Sequence, residues 1–197
     1  MQKLLTLYLV TIISTNGFSQ SPKGGFEITG KISGLPDSTL LYLEVRKDDK
    51  TTRVASTLLI DGKFHLKGAL RSPVEQVFLR TRNFNDYVSF WLENAPIIFT
   101  AEKGKFSKAI ITGSKTQDEQ LQRNISLSSR VDKAAADRQF IRQHPNSVVS
   151  ANVLNIYAST WGRDSVEVLY HILSDEMKNT SYGKNILKYI RQGTSPF

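Results

Sequence analysis

The sequence lacks cysteine entirely among its 197 residues. This absence excludes a disulfide framework, a thiolate metal site, a redox-active cysteine pair and a lipid attached to cysteine. The folded chain must therefore be held by its hydrophobic core. Its length, with 40% apolar and 22% charged residues, is sufficient for such a core and typical of globular proteins.

Long hydrophobic runs are also scarce. The clearest is Leu4–Ile13, which is shorter than the roughly 20 residues that a membrane-spanning helix needs. Lys3 precedes this run, and the small residues Gly17 and Ser19 follow it. That order is typical of a secretory signal peptide. We expect residues 1–19 to be removed, the protein to be exported, most simply to the periplasm, and no stable membrane span to remain; a buried N-terminal strand or helix is the alternative.

Positive charge is in excess but not concentrated. The formal net charge is +8, and the one basic cluster is Lys103, Lys105 and Lys108 in EKGKFSK. A nucleic-acid-binding surface would need a basic stripe together with an element that reads bases. We interpret the cluster as a solvated hairpin tip and expect no nucleic-acid partner.

Alternation of apolar and polar residues dominates residues 20–114. Turn-forming residues separate eight short alternating segments: FEITGKI, LLYLEV, VASTLLI, FHLKG, EQVFLRT, YVSFWLE, IIFTA and AIITG. Between the third and fourth segments, Asp61-Gly62 supplies the positive backbone angles of a tight hairpin turn. The pattern predicts an antiparallel β domain, a sandwich or barrel of about eight short strands.

Residues 115–197 change to a helical pattern. Thr116 and Glu119 have capping-box spacing, and Ser147 is a predicted N-cap. Two apolar stripes follow at helical spacing: Val166, Leu169, Tyr170 and Leu173, then Tyr182, Ile186 and Tyr189. We expect this helical segment to pack on itself and partly on the sheet. An apolar strip around the final helix would stay uncovered, available to a protein partner or to self-association.

No catalytic, cofactor-binding or metal-binding residue is predicted, and no cofactor. His65, His144 and His171 lie far apart in the sequence, without metal-ligand spacing. The TGSKT segment at residues 112–116 lacks the spacing of a phosphate loop and is interpreted as a strand end and helix start. Phe90 and Trp91 point to opposite sides of one strand. One of them should be core, and the other, if exposed, marks a contact surface.

Several blocks, taken in order, carry a family resemblance. They are FEITGKISGLPDSTLLYLE, DGKFHLKG, VSFWLENAPIIFTA and AIITGSKTQDE. Together they resemble the domain of unknown function DUF4369, which precedes TlpA-like thioredoxin domains in exported bacterial proteins. FIRQHPNSVVSANVLNIYAS and LSDEMKNTSYGKNILKYI look like the helical segment that leads into the thioredoxin domain in those proteins.

Two departures from that family limit what the resemblance implies. The segment between Gly113 and Phe140 is shorter than the family's charged helical stretch, and the sequence stops at GTSPF, where a thioredoxin domain would begin. Thiol exchange needs the Cys-x-x-Cys pair, so that activity is not carried over. We expect a non-catalytic interaction or accessory domain of the cell envelope, not an enzyme. Two alternatives stay open: a truncated remnant of a thiol-disulfide oxidoreductase, and an enzyme whose site is assembled from scattered carboxylates.

Overall fold

The β domain contains the eight strands that the alternation predicts. A computed structural model describes residues 24–47 and 50–192, so the predicted signal peptide at residues 1–19 lies outside the described residues. The strands are β1 (Phe26–Ser33), β2 (Leu40–Lys47), β3 (Lys50–Leu58), β4 (Lys63–Gly68), β5 (Val74–Thr81), β6 (Tyr87–Glu93), β7 (Pro96–Glu102) and β8 (Ile110–Thr112).

These strands form two four-stranded sheets. One has the order β4-β1-β7-β8 and the other the order β3-β2-β5-β6. All pairings are antiparallel except that of β1 with β7, which run parallel with Ile28 opposite Ile97. The predicted β module is confirmed. The parallel pair places the ends of β1 and β7 at the same end of the module.

The inner faces of the two sheets enclose the first hydrophobic core. Phe99 lies near its centre, with its ring 5.7 Å from the Phe64 ring and 6.2 Å from the Phe90 ring, between centroids. Phe64 packs directly over Gly30, where a Cβ atom would come within 2.0 Å of the Phe64 ring. Glycine is therefore required at position 30 because a large ring occupies the space of a side chain.

The Asp61-Gly62 turn is present, but the hairpin it closes is minimal. Both residues have positive φ, 49° and 68°, as a type I′ turn requires. Ile60 and Lys63 form one antiparallel bridge. Beyond this bridge the chain diverges, because β3 pairs with β2 and β4 pairs with β1. The turn therefore joins the two sheets instead of extending one of them.

Between the last strand and residue 192, the chain forms six α-helices. They are α1 (Lys115–Ser128), α2 (Lys133–Gln143), α3 (Val148–Trp161), α4 (Arg163–Ile172), α5 (Asp175–Asn179) and α6 (Ser181–Gln192). Ser147 caps α3 by accepting the amide of Val149, as predicted. The capping-box prediction at Thr116 is wrong. Ser114 caps α1 through the Gln117 amide, because the preceding strand ends at Thr112 and the helix begins two residues earlier than the spacing indicated.

Trp91 connects the helices to the sheet. It is 1% exposed and belongs to a second hydrophobic core, built with side chains of α2 to α6. Phe90, 2% exposed, points the other way into the sandwich core. The Trp91 amide donates to Oε1 of Gln117 on α1 at 3.0 Å, and its ring meets the Tyr182 ring edge-to-face at 6.3 Å between centroids. Burial of the hydroxyl raises the pKa of Tyr182, and the negative charge of Glu75 raises it further.

Two surfaces considered in the sequence analysis are therefore buried. Neither Phe90 nor Trp91 marks a contact surface, because β6 is covered on one face by the opposite sheet and on the other by helices. The apolar strip expected around the final helix is covered too. Ile186 is 0% exposed, and Tyr182 and Tyr189 pack half-buried against the second core. The helices do pack on one another and on the sheet, as expected.

Within the described part of the chain, none of the helices has both the length and the apolar character needed to cross a membrane.

Candidate functional site

The three histidines occupy separate environments. His65 lies on the exposed face of β4, with Nε2 2.7 Å from Oε1 of Glu27. Together with Lys67, it lowers the pKa of Glu27, the Lys67 hydrogen bond having the larger effect. His144 stacks on the Phe140 ring at 4.4 Å between centroids. Within residues 24–47 and 50–192, no three metal-ligating side chains come together.

A groove of about 440 Å³ lies between the sandwich and the helices. Two of the carboxylates that line it already accept hydrogen bonds at helix N-termini. Glu93 accepts from the Thr116 amide at 2.8 Å and from the Thr116 hydroxyl at 2.5 Å, and Glu119 accepts from the Ser147 hydroxyl. The Glu93 contacts join the sandwich to α1, and the Glu119 contact joins α1 to the start of α3, so both groups have a structural role. The TGSKT segment indeed spans the end of β8 and the start of α1.

A larger cavity of about 600 Å³ lies at the opposite end of the sandwich. We call it the loop-end cavity, because it lies among the segments that follow β1, β5 and β7. It is lined by Leu35, Pro36, Thr39, Leu40, Thr81, Arg82, Asn83, Asn85, Asp86 and Lys103. The segments after β1 and β7 lie next to each other because the two strands pair in parallel and end at the same end of the sandwich. Lys103, which follows β7, donates its amide to the Ser33 carbonyl at the end of β1 at 2.9 Å.

Some polar groups of the loop-end cavity already have hydrogen-bond partners, and others have none among the described residues. The Asp86 carboxylate is buried and accepts the amide of Gly104. Oδ1 of Asn83 accepts from the Thr81 hydroxyl at 2.8 Å. The side chains of Arg82, Asn85 and Lys103 are exposed and make no hydrogen bond or ion pair with the described residues. The cavity therefore offers mostly positively charged and amide donors.

Arg80 fixes the loop between β5 and β6, which carries four of these lining residues, Arg82, Asn83, Asn85 and Asp86. Its Nη1 donates to the carbonyls of Thr81 at 3.1 Å and Arg82 at 3.2 Å. Its guanidinium lies 3.7 Å from the centroid of the Phe84 ring, and Phe84 has a φ of 60°, which a bulky residue rarely adopts. Glu44 in turn receives two hydrogen bonds from Arg80, of 2.7 Å from Nε and 2.8 Å from Nη2.

The sequence pattern does not predict this cavity. In the sequence, Lys103 belongs to a basic cluster interpreted as solvated, and Asn83 and Asn85 are among the turn-forming residues that separate two predicted strands. The local signal was the composition of RTRNFND between two strands, which combines basic and amide side chains with an exposed aromatic. Binding residues are frequently found on loops held by a rigid scaffold.

Among known proteins, the informative similarity of this chain is a match to one family model. No curated protein matches the sequence. A solved structure, the crystal structure of a 9R-lipoxygenase from Cyanothece PCC8801, aligns with 10% identity and a TM-score of 0.29 over 94% of this chain. The chain spans only 32% of the lipoxygenase chain, and so weak a likeness carries no argument about fold or activity. Residues 26–120 match the family model of the domain of unknown function DUF4369, and this range corresponds to the sandwich and the start of α1.

Proposed function

We propose that the chain is a non-catalytic accessory domain of the cell envelope, which binds a ligand through the loop-end cavity. The observation that carries this proposal is the set of free side chains in that cavity. Arg82, Asn85 and Lys103 can donate hydrogen bonds, whereas the one carboxylate there, Asp86, is buried and already accepts an amide. A cavity of this size with a few free polar groups suits recognition.

The enzyme alternative would need a nucleophile or an acid–base pair beside the free groups. The buried and half-buried carboxylates instead have structural partners. Asp137 accepts from Nε of Arg123 at 2.7 Å, Glu44 pairs with Arg80, and Glu93 accepts hydrogen bonds at the start of α1. If the chain is instead a truncated remnant of a thiol-disulfide oxidoreductase, it should fold but bind no specific ligand.

One experiment addresses compartment and function together. The chain is expressed with residues 1–19, and the exported form is isolated and sequenced from its N-terminus, which we expect at Gln20. That form is then mixed with fractionated envelope extract, and the bound material is analysed by mass spectrometry and calorimetry. We expect stoichiometric binding, with the ligand recovered chemically unchanged. Turnover of the ligand would favour the enzyme, absence of any bound material would favour the remnant, and an intact Met1 on cytosolic protein would contradict export.

Self-association through the helical segment is a second candidate role, which the exposed side of α1 favours. Leu121 and Ile125 are 53% and 62% exposed and lie one turn apart. We propose that a second copy of the chain covers them. The double variant Leu121→Ser/Ile125→Ser should shift wild-type dimers to monomers in analytical ultracentrifugation, without a change in fold. Val131→Ser, at an exposed apolar residue outside α1, is the control. A wild type that is monomeric at high concentration would contradict this role.

A further inference from the structure

We propose that the ligand of the loop-end cavity is an oligosaccharide that carries carboxylates, with Arg82 and Lys103 binding the acidic groups. This inference rests on the proposed binding function and names the chemistry of its ligand. It uses three properties of the cavity: its charge, the state of its main-chain hydrogen bonds, and its apolar wall.

The charge of the cavity favours an acidic ligand. Arg82 and Lys103 are exposed and free of partners within the described residues, so their charges are not compensated locally. The opposing carboxylate of Asp86 is 4% exposed and accepts the Gly104 amide. A guanidinium can bind a carboxylate through two parallel hydrogen bonds, and such charge-assisted bonds are stronger than neutral ones.

The main chain around the cavity argues against an extended peptide. A peptide strand is usually recognised through main-chain hydrogen bonds to an open sheet edge. Here several amides of the lining loops already have partners. Arg82 donates its amide to the Leu40 carbonyl at 3.2 Å, Lys103 to the Ser33 carbonyl at 2.9 Å, and Ser38 to the Leu59 carbonyl at 2.8 Å. A ligand must therefore be recognised mainly by side chains.

The remaining side chains suit sugar hydroxyls. The Asn85 side chain and the Asn83 amide nitrogen make no hydrogen bond within residues 24–47 and 50–192. Primary amides can both donate to and accept from hydroxyl groups, which also do both. Leu35, Pro36 and Leu40 supply an apolar wall against which the C–H face of a sugar ring can pack. The cavity, at about 600 Å³, lies within the usual range for small-molecule sites.

The test is calorimetric titration of the full exported chain with trigalacturonate, and with maltotriose as the neutral trisaccharide. We expect trigalacturonate to bind and maltotriose to bind at least about tenfold more weakly, because each lost charge-assisted contact is worth roughly that factor. Arg82→Gln and Lys103→Gln should each weaken trigalacturonate binding by about tenfold or more. Lys108→Gln, in the same basic segment but outside the cavity lining, removes the same charge and should leave binding unchanged. Thermal unfolding of each variant checks that it folds.

Each of the following results would overturn the inference. The first is equal binding of maltotriose, and the second is equal weakening by Lys108→Gln, which would reveal a general charge effect. The third is tight, Arg82-dependent binding of a hexaglutamate peptide with no binding of trigalacturonate. This third result would leave the proposed binding function intact and replace only the ligand class. Absence of binding by trigalacturonate, maltotriose, hexaglutamate and envelope extract alike would reject both.

Discussion

Replacing Trp91 with alanine should lower the free energy of unfolding by about 3 to 5 kcal/mol, the usual range for removing a buried large aromatic side chain. Trp91 is 1% exposed in the core that the helices share with the outer face of β6. The sandwich core on the other face of β6 contains Phe90 and stays intact. We therefore expect the helical segment to lose its anchor and to unfold at lower denaturant concentration than the sandwich.

Chemical denaturation followed by two signals measures this effect. Far-ultraviolet circular dichroism reports on helices and strands together, whereas Trp161 fluorescence in the variant reports on the end of α3 alone, since the sequence has two tryptophans. If the helices unfold first, the fluorescence transition should occur at lower denaturant concentration than the final part of the circular dichroism transition. Trp161→Ala is the matched control. Its ring is half-buried and stacks on Tyr157 at 5.2 Å between centroids, so its removal should cost only about 1 to 2 kcal/mol. Equal losses in the two variants would show that Trp91 is not the anchor.

Strand β6 shows which features of the fold the sequence pattern predicts and which it does not. Alternation predicts which residues of a strand share a face, and so it correctly predicted a β domain, with a sandwich and a barrel as the two possibilities. It does not predict what covers the second face. In YVSFWLE, two adjacent large aromatics, Phe90 and Trp91, are both buried because β6 has a core on each side. The same limit explains the error at Ile186: helical spacing identified its apolar stripe but not the helices that cover it.

The loop-end cavity could not be predicted for a different reason. Its lining residues come from three segments that are far apart in sequence, near positions 35–40, 81–86 and 103. The parallel pairing of β1 with β7 brings the first and last of these together. Parallel and antiparallel strands have the same side-chain period of two residues, so alternation alone does not distinguish them. The cavity becomes visible only once sheet topology is known.

The buried pair of Glu44 and Arg80 leads to the second large prediction. Glu44→Gln should lower the free energy of unfolding by about 3 to 5 kcal/mol, because removing one partner leaves a buried charge uncompensated. The two side chains are only 6% and 10% exposed, and Arg53 places a second guanidinium 3.7 Å from Oε1 of Glu44. The neutral amide would then face two positive charges.

Glu102→Gln provides the matched control for this variant, measured by the same denaturant titration. Glu102 pairs with Lys105 at 2.9 Å, but both side chains are more than half exposed, so the same substitution there should cost no more than about 1 kcal/mol. The double variant Glu44→Leu/Arg80→Met should recover most of the loss at Glu44, since apolar replacements of both partners avoid the unpaired charge. If Glu44→Gln were no more destabilising than Glu102→Gln, the ion pair would not be what holds Arg80 against the carbonyls of Thr81 and Arg82.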